Sequence, residues 1–264
     1  MEQTYVLVQV AFLAALGAVV GSFLNVCIDR LPQGASVLAP GSSCSSCHHP
    51  LGWRDLVPVV SFLWLRGHCK YCKAPIPRRL LLVEVLSSAI FALAAVAYSG
   101  TLFPQGAVFL LYASLLLVIF FIDLERQLVL DLLVYPALPI ALLLAPWGPP
   151  GTDAPLAMGY WNAFIGGVFS ALLFAGLYLA ARGGMGFGDV KLSLLLGLML
   201  GFPLILVAVP LGFIAGGAVA VVLLAAKRRT MKSPVPFAPF LAGASLVAML
   251  GGTALMEWYL GLFG

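Results

Sequence analysis

Charged residues are scarce in this sequence of 264 residues: only 9% are Asp, Glu, Lys or Arg, whereas 62% are hydrophobic. A soluble domain usually carries about 25% charged residues, so this composition excludes an ordinary water-soluble fold. The net charge of +4 is small, and basic loops of a membrane protein explain it without any nucleic acid. The sequence therefore predicts a protein whose main solvent is lipid.

Basic residues are also absent from the first apolar segment, where Glu2 is the only charged side chain before residue 29. A cleavable signal peptide begins with a positively charged region. We therefore expect the first segment to be a retained membrane span.

Long apolar runs make up most of the remaining chain. A bilayer core of roughly 30 Å needs about 20 apolar residues per helical span, and eight runs of this kind are separated by charged or Pro/Gly-rich breaks. They lie near residues 5–27, 81–98, 106–123, 128–146, 159–181, 188–201, 203–226 and 236–261. The sequence predicts an all-α polytopic membrane protein with about eight transmembrane helices.

The positions of the basic residues predict the orientation of these spans, because Lys and Arg concentrate in short cytoplasmic loops. With eight spans, all 14 basic residues fall in loops on one side. This places residues 29–80 in the cytoplasm and both termini outside. We expect three parts: a first helix at 1–28, a cytoplasmic domain at 29–80 and a seven-helix core at 81–264.

Four of the five cysteines lie in the cytoplasmic loop as two Cys-x-x-Cys pairs, Cys44 with Cys47 and Cys69 with Cys72. Two such pairs separated by about 20 residues are typical of a tetrahedral Zn²⁺ site. Disulfides are the alternative, and a reducing cytosol disfavours them. Four thiolates complete the coordination shell, so we expect a structural zinc that stabilises a loop too small to bury much of a core.

Two aspartates, Asp123 and Asp189, lie at the expected cytoplasmic ends of apolar runs. A carboxylate at this depth is costly unless it faces a wet cavity or a partner, and it therefore indicates function. Gly186 and Gly188 precede Asp189 in a Gly-x-Gly-Asp pattern. Glycines permit close backbone approach and unusual dihedral angles, as a site for an extended substrate strand requires.

Three interpretations of the aspartates remain open at this point. Sharing one site, the pair would hold a proton between two carboxylates and hydrolyse a peptide bond as aspartic proteases do. Each aspartate could instead cap a helix or pair with a base such as Arg126 or Lys191. A proton relay in a membrane transporter would use the same residue types.

Several further motifs follow one another along the chain: residues 21–32, the paired-cysteine loop with 53–58 and 65–67, then 78–84, 121–125 with Asp131, and 184–192. In this order they resemble the motifs of the bacterial type IV prepilin peptidases, also called prepilin leader peptidase/N-methyltransferases.

The resemblance implies an aspartic endopeptidase whose catalytic residues are Asp123 and Asp189. It also implies cleavage of the short basic leader of type IV prepilins or type II secretion pseudopilins at the cytoplasmic face of the bacterial inner membrane. Many members of this family then methylate the new N-terminus with S-adenosylmethionine, and the tetracysteine loop is found in these members. A peptidase without methylation is the alternative within the family. An acidic surface suits a cationic leader, so we expect leader contacts at Asp29, Asp55, Glu84 and Glu125.

Overall fold

A computed structural model of the protein describes residues 2–148, 156–181, 184–226 and 236–261. Within these ranges the regular structure is helical, and no strand is present beyond two isolated bridges. The helices are α1 (Glu2–Arg30), α2 (Val60–Trp64), α3 (Arg78–Ala97), α4 (Ala107–Arg126), α5 (Asp131–Leu144), α6 (Leu156–Ala180), α7 (Phe187–Leu200), α8 (Ile205–Ala225) and α9 (Ala238–Gly261). The predicted all-α class is confirmed.

Each of the eight predicted spans corresponds to a helix, but not all of these helices are long. Six are long and apolar enough to cross a membrane: Thr4–Gln33, Arg78–Ala97, Leu102–Arg126, Met158–Ala180, Ile205–Ala225 and Ala238–Trp258. Helices α5 and α7 have 14 residues each, or about 21 Å at 1.5 Å per residue. The predicted count of eight spans is therefore not confirmed.

The chain divides into two compact units, Met1–Leu102 and Phe103–Gly264. The three-part division expected from the sequence stays a prediction. In the first unit, α1 and α3 pack antiparallel at backbone contact. A Cβ added at Gly17 would lie 2.7 Å from the Ser87 carbonyl oxygen, and one at Gly21 would lie 2.8 Å from the Glu84 Cα. Small residues let membrane helices approach this closely.

Among the helices long enough to span a membrane, α4 has the largest buried share, and side chains such as Leu116, Ile119 and Ile122 are at most 1% exposed. Helices α6 and α7 make the closest contact in this unit, where Gly166 faces Gly197. The Ser170 hydroxyl donates a hydrogen bond to the Ser193 carbonyl oxygen at 2.7 Å. This contact fixes the position of α7, whose first turn carries Asp189.

The predicted break between the sixth and seventh spans at residues 201–203 is confirmed. Helix α7 ends at Leu200, and Gly201 adopts a positive φ of 68°. A positive φ is readily accessible to glycine. The Phe202 backbone N–H then donates to the Asn162 carbonyl oxygen of α6 at 2.8 Å, so the chain turns away before α8.

Candidate active site and metal centre

Asp123 lies in the last turn of α4. The helix ends because Gln127 takes a left-handed conformation, and the Gln127 N–H donates to the Asp123 carbonyl oxygen at 2.8 Å. The Asp123 side chain is only 5% exposed. It accepts a hydrogen bond from the backbone N–H of Ala238 at the start of α9. Its Oδ2 atom is buried and has no hydrogen-bond partner among the described residues.

Asp189 lies in the first turn of α7, after Gly186 in extended conformation at the N-cap. An acidic residue in this turn interacts favourably with the positive end of the helix dipole. Its backbone N–H donates to the Gly186 carbonyl oxygen at 3.2 Å. The side chain is partly buried, so it can reach solvent as well as the interior of the unit.

Both aspartates line one cavity of about 850 Å³ in the second unit, and they are close enough to interact electrostatically. The structure thus brings together the two side chains that the sequence selected. The cavity walls come from the segment after α4, the start of α7 and the start of α9. Its other lining residues are Gln127, Leu128, Val129, Leu130, Asp131, Gly184, Met185, Gly186, Gly188, Lys191, Phe213, Pro236 and Phe237.

The two glycines of the Gly-x-Gly-Asp motif have different surroundings. Neither has a positive φ, so the expected unusual backbone conformation is not seen. A Cβ at Gly188 would lie 3.0 Å from the Val129 Cβ, whereas one at Gly186 would meet nothing closer than 3.9 Å. Close approach therefore favours glycine at position 188, and Gly186 leaves exposed extended backbone in the cavity wall.

Lys191 is one of the bases that could have neutralised an aspartate of the pair. In the structure its ammonium group instead forms an ion pair with Asp131, the first residue of α5. It also lies 5.5 Å from the ring centroids of Tyr135 and Phe187. The Asp131–Lys191 pair joins the N-terminal parts of α5 and α7, and no sequence pattern predicted it.

The four loop cysteines come together in the first unit. Their sulfur atoms lie within 4.8 Å of one another, and the Cys44 and Cys72 sulfurs are 3.8 Å apart. A tetrahedral Zn²⁺ with bonds of about 2.3 Å places its sulfur ligands about 3.8 Å apart. The predicted ligands Cys44, Cys47, Cys69 and Cys72 thus fit a metal ion, and the described cysteines form no disulfide.

The two cysteine pairs fold as repeated turns. In the first, the Cys44 N–H donates to the His49 carbonyl oxygen at 3.0 Å; in the second, the Cys69 N–H donates to the Ala74 carbonyl oxygen at 2.8 Å. Backbone N–H groups of Cys47 and Ser46 donate toward the Cys44 sulfur and lower its thiol pKa to about 6, which favours the metal-binding thiolate. The Ala74 backbone N–H lowers the pKa of the Cys72 thiol, but burial and hydrogen bonds with the other three cysteines raise it to about 11.

All four acids expected to contact a leader have interactions within the protein. Asp29 pairs with Arg79 at 2.6 Å. Asp55 accepts hydrogen bonds from the Gly52 N–H and the Tyr71 hydroxyl. Glu84 is buried and accepts a hydrogen bond from the Val59 N–H at 2.7 Å. The expectation of leader contacts at these acids therefore gains no support from the structure.

Comparison with known proteins gives a consistent result along the chain. Residues 15–98 match the family model for the bacterial peptidase A24 N-terminal domain, and residues 110–221 match that of the type IV leader peptidase family. These matches lie one in each compact unit. No solved structure matches the chain.

Curated relatives align over nearly the whole length of the chain and are named prepilin leader peptidase/N-methyltransferase. The Aeromonas hydrophila protein is 34% identical over 91% of this chain and 90% of the relative. The Burkholderia pseudomallei (strain 1026b) protein is 34% identical, with 93% and 86% covered. The Bacillus subtilis (strain 168) protein is 29% identical, with 96% and 98% covered. With six apolar helices long enough to span a membrane, this multi-pass membrane protein belongs to the type IV leader peptidase family.

Proposed function

We propose that this protein cleaves the short basic leader from type IV prepilins or type II secretion pseudopilins and then N-methylates the new N-terminal residue. The observation that carries the peptidase proposal is the shared cavity of Asp123 and Asp189. The names of the curated relatives support both activities. Family membership also disfavours the alternative of a proton-coupled transporter.

The proposed dyad hydrolyses the peptide bond by general acid–base catalysis. Two carboxylates in a site of low polarity cannot both ionise readily, so the pair holds one proton between them. The ionised carboxylate takes a proton from a water molecule while the water oxygen attacks the scissile carbonyl carbon. The protonated carboxylic acid donates to the carbonyl oxygen. Collapse of the tetrahedral intermediate then breaks the C–N bond, and the leaving nitrogen takes up a proton.

The backbone before Asp189 provides a place for the substrate strand. Gly186 is extended, with φ −76° and ψ 142°, and is exposed. Exposed extended backbone can add a strand of peptide through main-chain hydrogen bonds, which need no particular side chain. We assign Gly186 to this contact. Gly188 lets α7 approach the segment after α4.

The paired cysteines hold a structural Zn²⁺ in this proposal. The four thiolates leave no open coordination position, so the ion stabilises the loop and takes no part in hydrolysis. S-adenosylmethionine is the methyl donor, and when bound it supplies an electrophilic methyl group for the amine that cleavage exposes.

The protein lies in the bacterial inner membrane, with the zinc loop and both aspartates on the cytoplasmic side and both termini outside. The one-sided distribution of basic residues supports this orientation. It places the proposed dyad on the side where a basic leader lies before export. A prepilin carries an apolar helix after its leader, so cleavage at the membrane face suits such a substrate.

The experiment uses purified full-length protein in detergent, a prepilin and S-adenosylmethionine, with mass spectrometry of the product. We expect a shortened pilin that carries one added methyl group. A shortened pilin without the methyl group under saturating cofactor would reject methylation and leave the peptidase. An unprocessed prepilin, under conditions in which the protein stays folded, would reject the function as a whole.

A further inference from the structure

The short helix α2 of the first unit has an apolar face that is largely exposed. Val60, Leu63 and Trp64 are 58%, 63% and 84% exposed. Residues three and four positions apart lie on the same side of a helix, so these side chains form one surface, which we call the α2 outer face. Large apolar side chains exposed together indicate a surface that contacts a membrane or another apolar partner.

The other side of α2 faces the two long helices of the first unit. Ser61, Phe62 and Leu65 line a cavity of about 520 Å³, whose walls also include Val26 of α1 and Leu81 of α3. These three α2 side chains are only partly exposed. Helix α2 is therefore oriented with its outer face directed away from α1 and α3.

A hydrogen bond sets the level of α2 along the neighbouring candidate span. The Val59 N–H, just before α2, donates to the Glu84 side chain of α3 at 2.7 Å. Glu84 lies six residues after Arg78, where α3 begins, or about 9 Å along the helix axis. The 20 residues of α3 match a hydrocarbon core of roughly 30 Å. Helix α2 thus begins close to the end of a span, at the level of the lipid headgroups and the outermost acyl chains.

A basic residue follows the outer face. Arg66 is exposed and has a positive φ of 52°, a conformation that glycine usually adopts at the end of a helix. The Arg66 N–H donates to the Leu63 carbonyl oxygen at 3.1 Å, and the Gly67 N–H donates to the Phe62 carbonyl oxygen at 2.9 Å. This tight turn holds an arginine two residues after Trp64. A long basic side chain beside an apolar surface suits lipid phosphates, because its stem contacts the apolar phase while its charge stays at the surface.

We propose that α2 is an interfacial membrane contact. Its outer face lies among the lipid headgroups and the outermost acyl chains, and Arg66 contacts the phosphate of an anionic lipid. Tryptophan is enriched at this depth because its ring is apolar and its N–H is polar. The apolar side of an interfacial helix enters the bilayer by about 5 to 10 Å, which agrees with the level of α2 on α3. This contact does not depend on the proposed peptidase and methyltransferase activities, and it holds the cysteine loop, which continues at Cys69, at the membrane surface.

The test measures tryptophan fluorescence of the full-length protein in lipid nanodiscs. Of the five tryptophans, only Trp64 is kept and the others become phenylalanine, so that the emission reports on one position. Phospholipids brominated near the headgroup end of their acyl chains quench tryptophan in the bilayer, and iodide quenches tryptophan in water. A matched variant keeps only Trp161, which is 63% exposed on the candidate span α6, as the lipid-facing control.

We expect brominated lipid to quench Trp64 about half as strongly as Trp161 or more, as a ring at the interface requires. Iodide should quench Trp64 about threefold less than it quenches free N-acetyltryptophanamide, because an interfacial ring is shielded from water. Quenching by iodide but not by brominated lipid would show that the outer face lies in water, and quenching by neither would show that protein covers it. Either result would overturn the proposal.

Circular dichroism shows whether the variants keep the helix content of the wild type. If the multiple substitution prevents folding, the difference in quenching between the wild type and Trp64→Phe gives the same measurement with one substitution.

Arg66→Gly tests the contact with an anionic lipid. Glycine suits the positive φ, so this variant should keep the turn. In discs that contain both lipids, we expect brominated phosphatidylglycerol to quench Trp64 about two- to fivefold more efficiently than brominated phosphatidylcholine, since one basic residue near an anionic surface contributes about 1 kcal/mol. Arg66→Gly should lose this preference.

Lys73→Gly is the matched control, because Lys73 is another exposed base of the same loop with a positive φ of 60°. It should keep the preference for phosphatidylglycerol. A preference that persists in Arg66→Gly, or an equal loss in both variants, would overturn the assignment of Arg66.

Discussion

Asp123 and Asp189 line the same cavity, but each is held in a different local structure. Asp123 ends a buried helix and accepts a hydrogen bond from the first N–H of α9. Asp189 begins a helix and remains partly accessible. One carboxylate is thus held by backbone and the other can meet water, an arrangement that suits a pair in which one member activates water and the other donates a proton.

The two glycines before Asp189 should have separable effects. In Gly188→Ala the new Cβ would meet the Val129 Cβ at 3.0 Å, so Val129 or the backbone beside Asp189 must move by a few tenths of an ångström. Small misplacements at a reacting centre are costly, and we expect kcat for leader cleavage to fall about tenfold or more.

Gly186→Ala is the matched variant, because the cavity around Gly186 has room for a methyl group. If the substrate strand lies against this backbone, the added methyl group should raise KM more than it lowers kcat. Steady-state kinetics on a prepilin separates the two effects. A kcat loss in Gly186→Ala at least as large as in Gly188→Ala would contradict the structure.

At the level of single residues, the sequence predicted which side chains belong to the candidate site better than it predicted which residues contact one another. Asp123 and Asp189 were predicted as site residues because a charged side chain in an apolar run costs free energy unless it has a partner or faces water. The contact of Lys191 with Asp131 joins residues 60 positions apart, and no periodicity in the sequence relates them.

The position of the short helix α7 depends on its packing against α6. Gly197 of α7 faces the Ser170 hydroxyl and the Gly166 backbone of α6, so an added methyl group must push the helices apart. We expect Gly197→Ala to destabilise the protein by about 1 to 3 kcal/mol, as overpacking does, and to lower leader cleavage because α7 carries Asp189.

Gly176→Ala on α6 is the control, since nothing lies within 4 Å of the added Cβ. Alanine is the better helix former by up to about 1 kcal/mol, so this variant should be as stable as the wild type or more stable. Thermal unfolding in detergent measures the stability of both variants. Equal effects of the two variants would mean that the α6–α7 contact is not as close as described.

The cysteine loop should depend on its metal. Cys47→Ser removes one proposed ligand, whereas Cys27→Ser alters a buried cysteine of α1 that lies outside the cluster. We expect metal analysis to find about one zinc per chain in the wild type and in Cys27→Ser, and far less in Cys47→Ser.

A chelator should also increase hydrogen exchange across residues 42–76, because short turns without a sizeable core lose their main stabilising interaction with the metal. Zinc content that is the same in all three proteins would contradict the assignment. Full protection of residues 42–76 from hydrogen exchange after removal of the metal would also contradict the assignment.

Secondary-structure elements could be predicted from the sequence where amino-acid composition alone determines them. The apolar runs gave the helices, and Gly201 marked the end of α7 correctly. The lengths of α5 and α7 were harder to predict, because a hydrophobic run does not show where a helix stops and a turn begins. The repeated turn of the metal loop was not predicted, although Pro50 and Pro75 each follow a Cys-x-x-Cys pair at the same distance.

Both compact units match parts of one family, and the basic residues predict how the chain crosses the membrane. We expect residues 227–232 in the cytoplasm and residue 264 outside. An epitope tag after residue 264 should be digested by protease added to spheroplasts, and a tag inserted after residue 229 should be protected. The reverse pattern would overturn the proposed orientation.

The rate of leader cleavage in aspartate-to-asparagine variants tests the central claim most directly. Asp123→Asn and Asp189→Asn should each reduce cleavage about a thousandfold or more, because either change removes an acid–base group of the dyad. Asp131→Asn is the matched control in the same cavity. Its exposed ion pair contributes at most about 1 kcal/mol, so the loss should be about fivefold or less. Substantial cleavage by either dyad variant, or an equal loss in Asp131→Asn, would contradict the assignment of Asp123 and Asp189 as the catalytic pair.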